Sequence, residues 1–143
     1  MIVVDTTVIA PLLLPGANTP WAQQTYERDS AWASSPLWRS ELRNVLARYQ
    51  REHKVDPAAC LEIMNAAEEK MHPRQYNILS ETVILLAAQS VCSAYECEYV
   101  ALAQELNVLL VTANERLLEA FPRSTISLEQ FARGEEQDHG QGV

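Results

Sequence analysis

The sequence contains few basic residues, few glycines and few cysteines, and these shortages narrow the class of protein. Lysine and arginine number 11 against 19 aspartates and glutamates, so the 143-residue chain has a formal net charge of −8. Nucleic-acid-binding domains usually carry a basic surface, and the charge alone therefore argues against a nucleic-acid partner. With four glycines, seven prolines and 48% apolar residues, the composition excludes collagen-like and disordered chains.

The cysteines and the apolar runs exclude two further classes. Cys60, Cys92 and Cys97 are an odd number and lack the spacing of a disulfide scaffold or a zinc site. The longest apolar run, residues 83–88, is far too short to cross a membrane, and the opening residues MIVVD do not resemble a signal peptide. We therefore expect reduced thiols, no membrane association and a cytoplasmic protein.

What the chain does contain is an alternation of short apolar runs and longer helical patterns. Residues 2–4 and 108–111 are unbroken apolar runs, typical of strands buried on both faces of a parallel sheet. Ser35–Pro36 and Asp56–Pro57 each combine a helix N-cap with a first-turn proline. Weaker strand candidates are residues 31–34, 75–79 and 125–128. This alternation indicates an α/β fold around a mainly parallel sheet.

The composition divides the chain into one domain and a short tail. Residues 1–133 have the length of a single globular domain and show no internal repeat. Residues 134–143, GEEQDHGQGV, contain one apolar residue and are predicted to form an acidic disordered tail. The tail carries three acidic residues, so the net charge of the domain is −8 + 3 = −5.

Three carboxylates lie beside apolar segments instead of on polar helix faces. Asp5 directly follows the first predicted strand, Glu41 borders the apolar stripe of its helix, and Glu96 lies close to the apolar residues of another. A carboxylate next to a core requires compensation by hydrogen bonds, a cation or a metal. Asn114 follows the strand at residues 108–111, and the carboxyl ends of parallel strands share one edge of a sheet. We therefore expect Asp5 and Asn114 to lie close together.

Each of these residues also has a purely structural interpretation. Asp5 and Asn114 suit the N-cap position of the helices that follow them, and Glu96 stands three residues after Ser93, the spacing of a capping box. Glu41 could pair with a basic neighbour on its own helix, such as Arg48. Both interpretations stay open at this level.

The chemistry of such a cluster follows from what stands near it. The three histidines, His53, His72 and His139, fall at helix ends or in the tail, so a histidine base is not expected. Clustered carboxylate and amide oxygens suit a hard cation, Mg²⁺ or Mn²⁺. Such a metal polarises phosphoryl groups and activates water, as phosphodiester hydrolysis requires.

Three segments resemble the PIN-domain family, and in particular the toxin ribonucleases of bacterial VapBC toxin–antitoxin modules. They are VVDTTVIAPLL, SPLWRSELRNVLAR and SAYECEYVALAQELNVLLVTANERLLEAFP, and the resemblance extends to about Arg133. It implies a three-layer α/β/α sandwich with a short, mainly parallel sheet, and a Mg²⁺- or Mn²⁺-dependent endoribonuclease that cleaves RNA. The implied partners are a cognate antitoxin and a second copy of the chain, with Trp21 and Trp32 as candidate contact residues.

The resemblance assigns roles to particular residues. It implies Asp5, Glu41, Glu96 and Asn114 as catalytic positions, Asp5 and Glu96 as metal ligands, and Thr6 and Thr112 as supporting hydroxyls. Two of these depart from the family pattern, which has aspartate where this chain has Glu96 and Asn114. Glu96 keeps the charge on a longer side chain and Asn114 loses a charge, so we expect weaker metal binding. The alternative is a catalytically degenerate PIN domain that binds RNA or an antitoxin.

Two further questions concern the substrate. Arg39 and Arg43 lie on the helix that carries Glu41 and are candidate RNA-binding residues, although a solvated helix face explains them equally well. The carboxylate chemistry does not choose between phosphoesters, so a metal-dependent phosphatase or DNA nuclease is a third hypothesis.

Overall fold

The computed structural model describes residues 1–71, 74 and 76–135. His72, Pro73, Gln75 and residues 136–143 lie outside this part, and with them two of the three histidines and most of the predicted tail. The described elements are β1 Ile2–Val4, α1 Thr6–Leu13, α2 Thr19–Arg28, β2 Trp32–Ala33, α3 Leu37–His53, α4 Pro57–Met71, α5 Ser80–Ala88, α6 Ala94–Leu106, β3 Leu110–Thr112, α7 Glu115–Ala120, β4 Thr125–Ser127 and α8 Leu128–Ala132.

The four described strands form one parallel sheet in the order β2-β1-β3-β4. Val3 pairs with Ala33 on one side and with Leu110 on the other, so β1 and β3 are central neighbours. The sequence predicts a mainly parallel sheet, and the described strands are all parallel.

Two hydrophobic clusters cover the two faces of this sheet. Val4 and Val111 point into one cluster, which contains side chains of α1, α3, α4 and α8. Val3 and Leu110 point into the other, which contains side chains of α5, α6 and α7. Because successive strand residues face opposite sides, this division shows helices on both faces of the sheet. The predicted three-layer α/β/α sandwich is confirmed.

The structure corrects the predicted strand at residues 75–79 and the predicted exposure of Trp32. The predicted strand at residues 75–79 is wrong for residues 76–79, which pair with no described strand: Ile78 packs against side chains of α5 and α6, and Leu79 is the N-cap of α5. Gln75 lies outside the described residues. Trp32 is only 1% exposed and donates its indole N–H to the Asp29 carbonyl. Trp21 packs at the edge of the core under the Arg133 guanidinium. Trp32 is therefore not the exposed dimer contact that the sequence suggested, whereas Trp21 is half-buried and its part in a dimer stays a prediction.

The structure also describes the cysteine thiols, the first two residues of the predicted tail and the length of the apolar helices. All three thiols are buried and free. Gly134 and Glu135, which the sequence assigns to the tail, donate backbone hydrogen bonds to the carbonyls of Phe131 and Gln130. In the described part of the chain, no helix is long and apolar enough to span a membrane.

Candidate active site at the carboxyl edge of the sheet

The structure brings all four predicted catalytic residues to one small cavity of about 60 Å³. Asp5 directly follows β1 and Asn114 follows β3, so adjacent parallel strands place them at the same edge of the sheet. Glu41 reaches the cavity from α3, and Glu96 reaches it from the first turn of α6. This edge is where open α/β sheets bind their ligands.

Asp5 is buried and held by three hydrogen bonds. Its Oδ1 accepts from the backbone N–H and the hydroxyl of Thr7, and its Oδ2 accepts from the Thr112 hydroxyl at 2.5 Å. Burial is the main cause that raises the pKa of Asp5 to about 6; the Thr112 and Thr7 hydrogen bonds lower it and the Glu41 charge raises it. Asp5 is therefore an N-cap of α1 and also a carboxylate whose charge is poorly compensated.

Glu41 is fixed by two hydroxyl donors. Its Oε1 accepts from Thr6 Oγ1 at 3.2 Å and from the Tyr99 hydroxyl. Burial raises the pKa of Tyr99 far above its usual range, and the Glu41 charge raises it further, so Tyr99 keeps its proton and donates. Among the described residues Glu41 forms no ion pair, and the proposed pairing with Arg48 is not seen.

Glu96 and Asn114 are joined to each other. Asn114 Nδ2 donates to Glu96 Oε2 at 2.7 Å, while Glu96 Oε1 accepts from the Ser93 N–H and lies 3.6 Å from Arg116 Nη1. Burial opposes ionisation of Glu96, but the Ser93 and Asn114 hydrogen bonds and the Arg116 charge outweigh it and lower its pKa. The predicted capping box of Ser93 and Glu96 and the predicted Asn114 N-cap both exist, so these residues combine a structural role with a place in the cavity.

Two residues that the sequence analysis did not single out complete the cavity. Thr7 Oγ1 donates to Asp5 and accepts from the Ala113 N–H at 2.8 Å, which connects α1 to the segment after β3. Tyr99 lines the cavity from α6 and donates its hydroxyl to Glu41. Its place three residues after Glu96, about one turn along α6, is the signal that would have pointed to it. Thr6 and Thr112, the predicted supporting hydroxyls, do contact Glu41 and Asp5.

The donor set is compatible with a hard cation, although the side chains do not form a ready-made cage. Among the described residues no three His, Cys, Asp or Glu side chains are close enough to hold a metal ion. Oδ2 of Asp5 and Oε2 of Glu96 each accept a single hydrogen bond, which leaves a lone pair on each. Mg²⁺ is commonly held by one or two carboxylates together with water and substrate phosphate. The poorly compensated charge of Asp5 is the feature that a cation would relieve.

Two wider cavities adjoin the acidic one, and Glu41 and Asn44 line both. One, about 370 Å³, lies between α1 and α3, with Ala10, Pro11 and Val45 on its walls. The other, about 350 Å³, lies between α3 and α6, with Leu37, Ser40 and Tyr95 on its walls. Together they extend the acidic cavity into a groove whose walls combine apolar side chains with polar and acidic ones.

The two predicted RNA-binding arginines lie outside these cavities. The Arg39 guanidinium lies 3.6 Å from Glu68 on α4 and stacks over the Trp38 ring. Arg43 is exposed and lines none of the three cavities. A third arginine, Arg48, stands seven residues after Glu41 and four after Asn44, which places it on the helix face that borders the groove.

Solved structures share this fold. The chain superposes on PAE2754 from Pyrobaculum aerophilum with a TM-score of 0.74 and 19% identity, over 93% of this chain and 94% of that one. A toxin–antitoxin complex from Klebsiella pneumoniae gives a TM-score of 0.65 and 18% identity, over 90% and 98% of the two chains. FitAcB from Neisseria gonorrhoeae gives 0.67 and 16%, again over 90% and 98%.

No protein-family model matches the chain, and no curated protein matches it. At these identities the likeness to solved structures shows the fold, which is the PIN-like α/β/α sandwich that the sequence motifs imply.

Proposed function

We propose that this protein is a metal-dependent endoribonuclease and the toxin component of a toxin–antitoxin pair. The observation that carries the proposal is the convergence of Asp5, Glu41, Glu96 and Asn114 on one cavity at the carboxyl edge of the sheet. These residues come from four separate elements, so their meeting is a property of the fold. Hydrogen bonds to Thr6, Thr7, Thr112 and Tyr99 hold the acids in place before any substrate binds.

The residues of the chain perform distinct tasks in this proposal. Asp5 and Glu96 would hold Mg²⁺ or Mn²⁺, which when bound polarises the phosphoryl group and lowers the pKa of water. Thr7 and Thr112 orient the Asp5 carboxylate, and Tyr99 and Thr6 orient Glu41. Because the pKa of Asp5 is about 6, its carboxylate is ionised at neutral pH and increasingly protonated below pH 6.

The same fold supports an antitoxin as a binding partner. The Klebsiella pneumoniae structure with this fold is described as a toxin–antitoxin complex, which supports the same pairing here. The acidic cavity, together with Ala10, Pro11 and Val45 in the adjoining cavity, offers a surface that a partner with one basic side chain and apolar residues could cover.

One observation favours a second candidate, a degenerate PIN domain that binds RNA or an antitoxin without cleavage. The Asn114 amide already donates a hydrogen bond to Glu96 and the Arg116 guanidinium lies 3.6 Å from it, so this carboxylate is compensated without a metal ion. An active site built around a metal would instead leave its carboxylates uncompensated until the metal binds.

Cleavage of a labelled pool of structured RNA separates the two candidates. We expect wild-type protein to cut the pool with Mn²⁺ and to lose this activity with EDTA. A single-stranded DNA of matched sequence and a simple phosphomonoester, tested in parallel, should stay intact. Cleavage of either would identify a DNA nuclease or a phosphatase instead, and binding without cleavage would identify the degenerate domain.

We also propose that two copies of the chain associate through the surface around α5. Leu79, Ile84, Leu85 and Val91 are each more than half exposed, which is unusual for large apolar side chains so close in sequence. Ile84→Lys should weaken self-association about tenfold or more, because the ammonium would be buried in the contact. Sedimentation velocity at fixed concentration measures the effect.

The control for this prediction is Leu61→Lys. Leu61 on α4 is 61% exposed, close to the 66% of Ile84, but it lies on a different helix. Equal self-association of Ile84→Lys and wild type would show that this surface is not the contact.

The salt dependence of RNA affinity tests whether the arginines on α3 bind RNA phosphates. Arg43→Ala should weaken RNA binding and reduce the slope of log affinity against log salt by about one, if Arg43 contacts a phosphate. Arg48→Ala should have the larger effect, because Arg48 lies on the same helix face as Glu41 and Asn44 and Arg43 does not. Anisotropy titrations of a labelled RNA at several salt concentrations give both slopes, and unchanged slopes in both variants would remove α3 from the RNA path.

A further inference from the structure

We infer that the cavity between α3 and α6 is a nucleobase subsite in which Tyr95 stacks on an unpaired base next to the scissile phosphate. The inference rests on the proposed ribonuclease function and names what its substrate must present, namely a single-stranded nucleotide. Tyr95 is the residue before Glu96 in the first turn of α6.

Tyr95 is a large aromatic side chain that the fold itself does not use. It is 65% exposed, whereas Tyr99, one turn later on the same helix, is buried and bonded to Glu41. In the described part of the chain the Tyr95 ring has no aromatic neighbour and its hydroxyl has no hydrogen-bond partner. Tyr95 is the second residue of α6, and the Ser93 capping box holds the backbone of this first turn in place.

The cavity beside Tyr95 has the size and the walls that a base needs. Its volume is about 350 Å³, within the range of small-molecule sites, and Leu37 supplies an apolar wall. Asn44 lines the same cavity and its side chain forms no hydrogen bond within the described residues, so its amide can both donate to and accept from a base edge. Proteins recognise unpaired RNA bases through this combination of stacking and edge hydrogen bonds.

The subsite is adjacent to the proposed reaction centre. Glu41 and Glu96 line both the acidic cavity and the cavity beside Tyr95. A phosphate at the acidic cavity would therefore have a neighbouring base within reach of Tyr95, provided that base is not paired in a duplex. This geometry points to cleavage in loops or single-stranded segments.

The test is binding of a short labelled RNA in EDTA, so that neither cleavage nor metal is required. Tyr95→Ala should weaken binding about 5- to 150-fold, the range for loss of one base–aromatic stack, while Tyr95→Phe should bind like wild type. The loss should be the same at every salt concentration, because a stack releases no counterions. Leu61→Ala, an equally exposed position on α4, is the matched control and should bind normally.

A second arm uses RNAs with one abasic position. For wild type, one abasic position should cost about as much affinity as Tyr95→Ala costs with intact RNA, and combining the two changes should add nothing further. Additive losses, or equal affinities of Tyr95→Ala and Tyr95→Phe, would overturn the subsite. Reduced self-association of Tyr95→Ala with unchanged RNA binding would overturn it as well and assign Tyr95 to a protein contact.

The outcomes for the subsite and for the nuclease are separable. If wild-type protein binds RNA with the Tyr95 dependence but cuts nothing in Mn²⁺, the subsite stands and the nuclease proposal fails. If it cuts RNA while Tyr95→Ala binds and cuts like wild type, the nuclease stands and the subsite fails.

Discussion

Asp5→Asn should strongly reduce RNA cleavage and at the same time make the folded protein more stable at neutral pH. Asparagine is as good an N-cap as aspartate, so α1 keeps its first-turn hydrogen bond. The variant lacks the carboxylate that would hold the cation, and we expect the rate of cleavage to fall about 10²- to 10³-fold. A residue that matters only for stability would not produce opposite effects on activity and stability.

The gain in stability follows from the direction of the Asp5 pKa. Burial raises this pKa from 3.8 to about 6, so between these two pH values the folded protein holds a proton that the unfolded chain has released. The free energy of unfolding therefore falls as pH rises from about 4 to 6, and the deficit stays constant at higher pH. A shift of about two units corresponds to a deficit on the order of 3 kcal/mol at pH 7.

Thermal unfolding of both proteins measures this contribution. Asp5→Asn and wild type should melt together near pH 4, and the variant should melt about 10 °C higher at pH 7 in EDTA. Saturating Mn²⁺ should raise the melting temperature of wild type and leave Asp5→Asn unchanged. Parallel pH profiles of the two proteins would contradict the proposed burial of a charged Asp5.

The sequence predicts local features of this fold well because local physics determines them. Strand β1, the Ser93 capping box and the Asn114 N-cap depend on residues within a few positions of one another, and all are present. The meeting of Asp5 and Asn114 was predictable for a related reason, since parallel strands share their carboxyl edge.

What the sequence did not predict depends on how helices pack. Tyr99 contacts Glu41 because α6 meets α3 across the end of the sheet, and no local pattern contains that fact. Arg39 and Arg43 were chosen for their closeness in sequence to Glu41. The structure shows that Arg39 instead faces α4, where Glu68 engages it. A helix presents several faces, and only the packing of its neighbours decides which face borders a cavity.

Asn114→Asp should convert the Glu96 half of the cavity into a site that requires a cation. At present Asn114 Nδ2 donates to Glu96 Oε2 at 2.7 Å, and the variant would replace that donor with a second carboxylate oxygen. Two such groups at this distance repel, so the pKa of one must rise or the fold must lose about 1–3 kcal/mol of stability in EDTA at pH 7. The N-cap of α7 persists, because aspartate can accept the Arg116 N–H as asparagine does.

A divalent cation should reverse this loss, and that reversal distinguishes the two candidate functions. We expect Asn114→Asp to bind Mn²⁺ at least about tenfold more tightly than wild type, measured by calorimetry, and to recover its melting temperature when Mn²⁺ is added. Asn65→Asp makes the same charge change at an exposed position on α4 and should alter neither quantity. Unchanged Mn²⁺ affinity in Asn114→Asp would exclude this pair of residues from the metal site.

If wild type is inert and Asn114→Asp cleaves RNA, the amide at position 114 is what keeps the site inactive. If both cleave at the same rate, the Asn114 oxygen is an adequate substitute for a carboxylate, and the Asp5 side of the cavity carries the reaction.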